Sequence, residues 1–377
     1  MKITIGGDFC ITPQYLSKPL IDKSIDGVFK DSDINIFNLE CPIVNVGEGK
    51  KIQKTGPHLK TDERVLNHLH QLSINLVTLA NNHILDYGIA GLERTIRFCE
   101  NNNINYVGAG SSLKQASKPY AFVKDGLKIT IINFCENEWS VANSLRGGAN
   151  PMDTIDNYKQ ITNAKQNSDF VIVIVHGGHE FNPYPSPRMV KQYRFYTEIG
   201  ADAVIGHHTH CISGYEIYNN VPILYSLGNF LFTLPNKNEV WYTGLVAQLN
   251  LSKNKPIDLN IIPIQQDKKD FNLTVCDEIN KKLVLGHLAL LNHTIQDENK
   301  LHLEWSHFIK RQSKLINSLS PLSFIPIKYF SAFLRRMGVN KLLMNNNYLK
   351  SLTNRFRCEA HRDITIDVLQ ERINDNK

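Results

Sequence analysis

Five strand-length apolar runs each break off into a cluster of acidic, amide or imidazole residues. Residues 3–5 lead into Gly6-Gly7-Asp8, residues 34–37 into Asn38-Leu39-Glu40, and residues 76–80 into Asn81-Asn82-His83, with Asp86 three positions on. Residues 171–175 lead into His176-Gly177-Gly178-His179-Glu180, and residues 203–205 into Gly206-His207-His208-Thr209-His210. Short continuous apolar runs bounded by turn residues are the pattern of buried strands. Helical spacing fills the intervals. Thr61-Asp62-Glu63 caps a helix with Val65, Leu66, Leu69 and Leu72 on one face, and further helices are predicted over 89–100, 154–166 and 190–199. This alternation predicts an α/β fold. Asp125-Gly126, between 121–123 and 128–133, signals a hairpin. Beyond His210 the pattern turns to strands over 214–218, 223–226, 243–251 and 259–264, so antiparallel strands should extend the sheet.

In open α/β sheets, ligands collect outside the carboxyl ends of the strands. The five clusters are therefore expected to meet at one site. Taken singly, Asp8 also suits a turn, Asn81-Asn82 an Asx turn and Glu40 a surface carboxylate; five repetitions of one placement favour the shared site. Neutral imidazole is the commonest metal ligand. Extended backbone would point His208 and His210 the same way and turn His207 aside. Asp8, Glu40, Asn82, His176, His208 and His210 form a donor set suited to two divalent ions (Mn, Fe or Zn) sharing a carboxylate. Two such ions about 3.5–4 Å apart can generate a bridging hydroxide at neutral pH. His83 is the expected general acid, with Asp86 orienting it. His179 and Glu180 are expected to steer ligands by hydrogen bonds. The remaining histidines, His58, His68, His70, His287, His293, His302, His307 and His361, read as surface or locally satisfied groups.

Seven cysteines are scattered without a C-x-x-C pair, which excludes a disulfide framework and a cysteine zinc site and predicts a reducing compartment. A strand that starts at Lys2 leaves no room for a secretory signal, and no apolar run approaches the roughly 20 residues of a membrane span. A cytoplasmic protein is expected. Charge then divides the chain. Residues 266–377 hold 18 Lys/Arg against 12 Asp/Glu, the whole of the net +6, while residues 1–265 are neutral. The expected domains are therefore 1–265 and a basic, mainly helical region 266–377, with helical spacing over 283–291, 301–315, 329–344 and 366–373. Residues 305–358 contain ten basic residues and no acidic one. Residues 323–337 mix aromatics with cations, as an interfacial amphipathic helix does. The same pattern suits a helix packed on the first domain with solvated cations. A peripheral membrane or synthase contact is thus open to this tail. No nucleic-acid-binding module accompanies the charge, so no nucleic-acid partner is expected.

With these residues in hand, the chain resembles the capsule (poly-γ-glutamate) biosynthesis CapA-like family of the calcineurin-like metallophosphoesterase superfamily. The segments that carry the resemblance are Gly7-Asp8, Asn38-Leu39-Glu40, Ala80-Asn81-Asn82-His83 with Asp86-Tyr87-Gly88, His176-Gly177-Gly178-His179-Glu180, Gly200-Ala201-Asp202, Gly206-His207-His208-Thr209-His210, and Tyr225-Ser226-Leu227-Gly228-Asn229-Phe230. They stand in the family's order and span residues 1 to about 265. The resemblance implies a metallophosphatase-like β-sandwich flanked by helices, with the helical C-terminal extension outside it. It implies a dinuclear site on the six ligands named above, His83 as the catalytic histidine, and a structural or substrate-facing Asn229. Cys10 stands where the superfamily's Asp-x-His motif has histidine, and Gly177 where the family usually has Trp. The implied function is hydrolysis of a phosphoester or amide bond in a small-molecule or polymer substrate of capsule synthesis. A non-enzymatic accessory role with a structural or vestigial metal site is the alternative.

Overall fold

The computed structural model describes residues 1–45, 47–312, 319, 322, 328–357, 365, 366, 369 and 373. The chain divides into two compact units, Met1–Trp305 and Ser306–Lys377.

The first unit begins with parallel βα units: β1 (Lys2–Cys10), α1 (Lys23–Lys30), β2 (Ile34–Leu39), α2 (Leu66–Gln71), β3 (Leu76–Thr78), α3 (Gly88–Asn101) and β4 (Asn105–Val107). Next come β5 (Ala109–Gly110), α4 (Leu113–Ala116), and the hairpin of β6 (Tyr120–Lys124) and β7 (Leu127–Cys135). Asp125 and Gly126 have φ of 52° and 74°, the paired positive values of a two-residue hairpin turn. β8 (Gly148–Ala149), α5 (Thr154–Asn167), β9 (Phe170–His176), α6 (Pro187–Glu198) and β10 (Ala203–His207) follow. The strand-rich end comprises β11 (Tyr215–Tyr218), β12 (Val221–Leu224), β13 (Asn229–Phe232), β14 (Thr243–Asn250), β15 (Asp258–Gln266) and β16 (Leu273–Val275). Helices α7 (Glu278–Ile295) and α8 (Glu298–Arg311) come last, the division between units falling within α8.

One sheet runs β16-β15-β14-β1-β2-β3-β4, with β13 paired to the carboxyl half of β1. The other runs β11-β12-β10-β9-β7-β6. The fold is mixed α/β: β1 to β4 pair in parallel and β14 to β16 antiparallel in the first sheet, while the second has parallel strands inside and antiparallel pairs at its two edges. Alternation along each strand sets the layers. Ile3, Ile5, Ile34, Ile36 and Leu76 of the first sheet share one core with Ile129, Ile131, Ile172, Ile174 and Ile205 of the second. The opposite faces are covered by helices. Phe9, Phe37 and Val77 pack with Phe29 of α1, Leu69 of α2 and Leu92 of α3. Val171, Val173 and Val204 pack with Ile161 of α5 and Tyr193 and Tyr196 of α6.

Residues 266–305 lie in the first unit rather than beyond a boundary at 265. β16 pairs with β15, and Leu288 and Leu291 of α7 enter the core between the sheets. Elements α1, β13 and β16 are additional to those expected from sequence. Among the described residues, no helix is long and apolar enough to cross a membrane.

The second unit contains α9 (Lys328–Arg336), α10 (Val339–Leu343) and α11 (Asn346–Arg357). One helix was expected over 329–344; Gly338, with φ of 79°, breaks it. The helix expected over 366–373 and the start of the aromatic-cationic segment, 323–327, lie largely outside the described residues.

Candidate metal centre

Strand pairing assembles the site. Asp8 of β1 lies beside Asn38 of β2, and His176 ends β9 beside His207 of β10. Gly7 lets β13 close on β1: a Cβ there would stand 2.0 Å from the Gly228 carbonyl oxygen. The Asp8 amide donates to that same oxygen at 3.0 Å. Beyond β10 the backbone is not extended. His208 and His210 have φ of 92° and 53°, a region that costs a non-glycine residue strain. The His208 amide donates to Asp8 Oδ2 at 3.0 Å and helps hold this turn. The two imidazoles thus reach the site through a kinked turn, not through strand alternation.

Glu40 is the centre of the arrangement. It is fully buried, and neither carboxylate oxygen has a hydrogen-bond partner among the described residues. It belongs to two ligand groups, Glu40-His176-His208 and Asp8-Glu40-His210, whose donor atoms in each group lie within 4.8 Å of one another. His210 Nε2 is 3.6 Å and His176 Nε2 3.8 Å from Glu40 Oε1. Asn82 Oδ1 and His208 Nδ1 each lie 3.0 Å from His176 Nε2. Asp8, Glu40, Asn82, His176, His208 and His210 therefore converge. A buried carboxylate with no proton donor facing it, ringed by imidazoles, fits a divalent cation by geometry and by donor chemistry.

Neighbouring side chains orient the donors. Asn229 Oδ1 accepts from His210 Nδ1 at 2.8 Å, and Asn229 Nδ2 donates to the Trp241 carbonyl at 3.0 Å. That bond puts the His210 proton on Nδ1 and turns the Nε2 lone pair toward Glu40. His207 lies at 3.1 Å from the Gly6 carbonyl through Nε2, pointing away from the cluster. Asn38 Nδ2 contacts both Asp8 Oδ1 at 2.7 Å and His176 Nδ1 at 3.0 Å. In the sequence Asn38 is only part of a strand-end motif, because its role exists only once β9 is alongside. Glu138, also unforeseen, approaches Asn82 Nδ2 at 3.5 Å and His208 Nε2 at 3.8 Å.

Electrostatics follow burial. Loss of solvent pushes the Asp8 carboxyl up to about 7. It pushes Glu40 well above the carboxylate range, with the charge of Asp8 adding to the effect. The same desolvation pushes His207 and His208 down to about 4 and His210 to about 3, and lowers His176 well below its usual value, helped by its neighbouring imidazoles. These shifts favour unprotonated imidazoles, and they favour protonated carboxyls until a cation takes the protons' place.

His83 stands beside this cluster. Its Nδ1 lies 2.7 Å from Asp86 Oδ2, and its amide donates to Asn81 Oδ1 at 3.1 Å. Burial lowers its basicity despite Asp86. Lys54, from the loop after β2, forms an ion pair with Asp86 with only 3% of its side chain exposed. The Leu59 amide also donates to Asp86 Oδ2, at 2.7 Å. No sequence motif marks Lys54; only the return of its loop brings it here. Two expected members sit farther out. Glu180 is exposed, and the His179 ring meets Trp305 edge-on at 4.9 Å between centroids. Cys10 is buried, its thiol pushed well above its usual range by burial and by Cys41, and neither ligand group includes it. Gly177 faces Glu136, whose Cβ would be 3.1 Å from an added Cβ.

A family profile described as bacterial capsule synthesis protein PGA_cap matches residues 10–234. This span holds more than half of the 377 residues and every residue of the cluster except Asp8. The chain belongs to this capsule synthesis family. It is similar to the PGA biosynthesis protein CapA of Bacillus subtilis (strain 168), 28% identical over 302 residues, covering 78% of each chain. It is also similar to the capsule biosynthesis protein CapA of Bacillus anthracis, 28% identical, covering 64% of this chain and 60% of that one. A probable polyglutamine synthesis accessory protein of Mycobacterium tuberculosis is 28% identical, covering 52% of this chain and 55% of its own length. The chain is thus CapA-like over most of its length.

Proposed function

We propose that this CapA-like chain is a metal-dependent hydrolase of capsule or surface-polymer biosynthesis, with a metallophosphatase-like site acting on a phosphoester or amide bond. The observation that carries the reading is Glu40, a buried carboxylate with no hydrogen-bond partner among the described residues and shared by two ligand groups. Two divalent ions, Mn, Fe or Zn, suit this mixed oxygen and nitrogen set, and would supply Lewis acidity and activation of water. Asp8, Glu40, Asn82, His176, His208 and His210 would hold them. His83 holds one proton on Nδ1 toward Asp86, leaving the Nε2 lone pair free to take another. An anionic substrate favours that imidazolium form, whose Nε2 proton can then pass to the leaving group. Lys54 neutralises Asp86, so the substrate's charge governs when His83 takes up its second proton. The scattered thiols support a reducing, cytoplasmic setting, which cell fractionation tests.

The test is metal analysis of purified protein together with turnover of phosphodiester and γ-glutamyl substrates. His208→Ala and Glu40→Gln should each lose metal and turnover together. Unchanged metal and unchanged turnover in both variants would defeat the proposal. A second reading is a non-enzymatic accessory of polymer synthesis or export that holds a structural cation. Cys10 in the place of the first-motif histidine favours it, as does the accessory name of the mycobacterial relative. Stoichiometric metal without turnover on either substrate class would select that reading.

A further inference from the structure

We propose that the second unit seats on an anionic lipid bilayer, with α9 lying in the plane of the interface. In α9 and the turn after it, Tyr329 is 88% exposed, Phe330 48%, Phe333 56% and Met337 67%. At 3.6 residues per turn these four positions share one arc of the helix. Exposed Arg336, seven residues after Tyr329, borders this arc, and the same helix sequence contains Lys328 and Arg335. The pattern continues in α10 and α11, where Leu342, Leu343 and Phe356 are exposed beside exposed Lys350 and Arg355. So many large apolar side chains in one short stretch mark an interaction surface rather than scattered exposure.

The charge decides the occupant. Residues 305–358 carry ten basic residues and no acidic one. A second copy would bring like charges together, which opposes self-pairing. A soluble polyanion would satisfy the cations and leave the aromatics in water. An anionic bilayer takes both, apolar arc into the acyl boundary and cations at the headgroups. Among the described residues no helix is long and apolar enough to span, so the contact proposed is interfacial. The inference does not depend on whether the metal centre is catalytic.

The experiment is co-sedimentation of the 377-residue chain, as purified, with phosphatidylcholine vesicles, with and without phosphatidylglycerol. The wild type should pellet only with phosphatidylglycerol present, and less at high salt. Phe330→Ser with Phe333→Ser should weaken partition about tenfold or more. Lys350→Gln with Arg355→Gln should weaken it about fivefold per cation. Circular dichroism and metal content, unchanged in both pairs, would exclude misfolding. A wild type that stays in the supernatant overturns the proposal and returns the surface to a protein partner. So does a Phe pair that pellets like wild type, since charge alone would then suffice. Self-association abolished by the Phe pair, without vesicle binding, overturns it in favour of a second copy.

Discussion

Glu40→Met should invert the stability order of the protein depending on whether metal is present. The wild-type carboxyl is fully buried, and its two oxygens lack hydrogen-bond partners among the described residues. Burying an unsatisfied polar group costs about 1–3 kcal/mol. Methionine has nearly the same length and carries no such oxygens. In chelator the variant should therefore be about 2 kcal/mol more stable than wild type, or roughly 4 °C higher in Tm for a unit of this size. Metal reverses the order. Glu40 belongs to both ligand groups, so its loss leaves neither complete. At free metal about 100-fold above Kd the wild type gains about 2.7 kcal/mol, and the variant gains little. Thermal unfolding in EDTA, then across a manganese or zinc titration, measures both limbs. Glu40→Gln is the control: it keeps buried polar atoms, so it should gain no stability in EDTA and still lose the metal response. A methionine variant less stable than wild type in EDTA would refute the reasoning, because Glu40 would then be a satisfied structural group rather than a carboxylate awaiting a cation.

Other perturbations probe the supports of the site. Asn229→Leu removes the acceptor for His210 Nδ1 and should weaken metal binding about 10–100-fold in a chelator competition, whereas Asn229→Asp should keep most of it. Gly7→Ala places a Cβ 2.0 Å from the Gly228 carbonyl oxygen and should destabilise the protein by about 3 kcal/mol in urea unfolding. Lys54→Met strips the buried Asp86 of its cation and should cost about 3 kcal/mol, most of it recovered by adding Asp86→Asn.

The parallel strands were legible because strands covered on both faces read as unbroken apolar runs, as in residues 170–175 of β9. The polar residues ending them were legible for the converse reason: nothing apolar explains His176 or Glu40 there. Other features depend on partners distant in the chain. β13 begins at Asn229 and is only four residues long, so its pairing with β1 rests on the close approach at Gly7, which no local pattern announces. Asn38 acquires its role from His176, 138 residues away. The spacing of His208 and His210 suggested a shared direction through extended backbone, yet their φ values place them in a tight turn. The charge asymmetry beginning near residue 266 suggested a boundary, but charge describes surface, and the buried leucines of α7 tie that helix to the first unit.

The cation donors are drawn from positions as far apart as Asp8 and His210, and Asn229 steadies the last of them. Chain closure over such separations comes late in folding. A polypeptide still emerging from the ribosome therefore cannot offer a competent cradle until β13 has returned to β1. On the proposed reading, metal loading would wait for synthesis through Phe232, so a chain truncated before β13 would capture no ion.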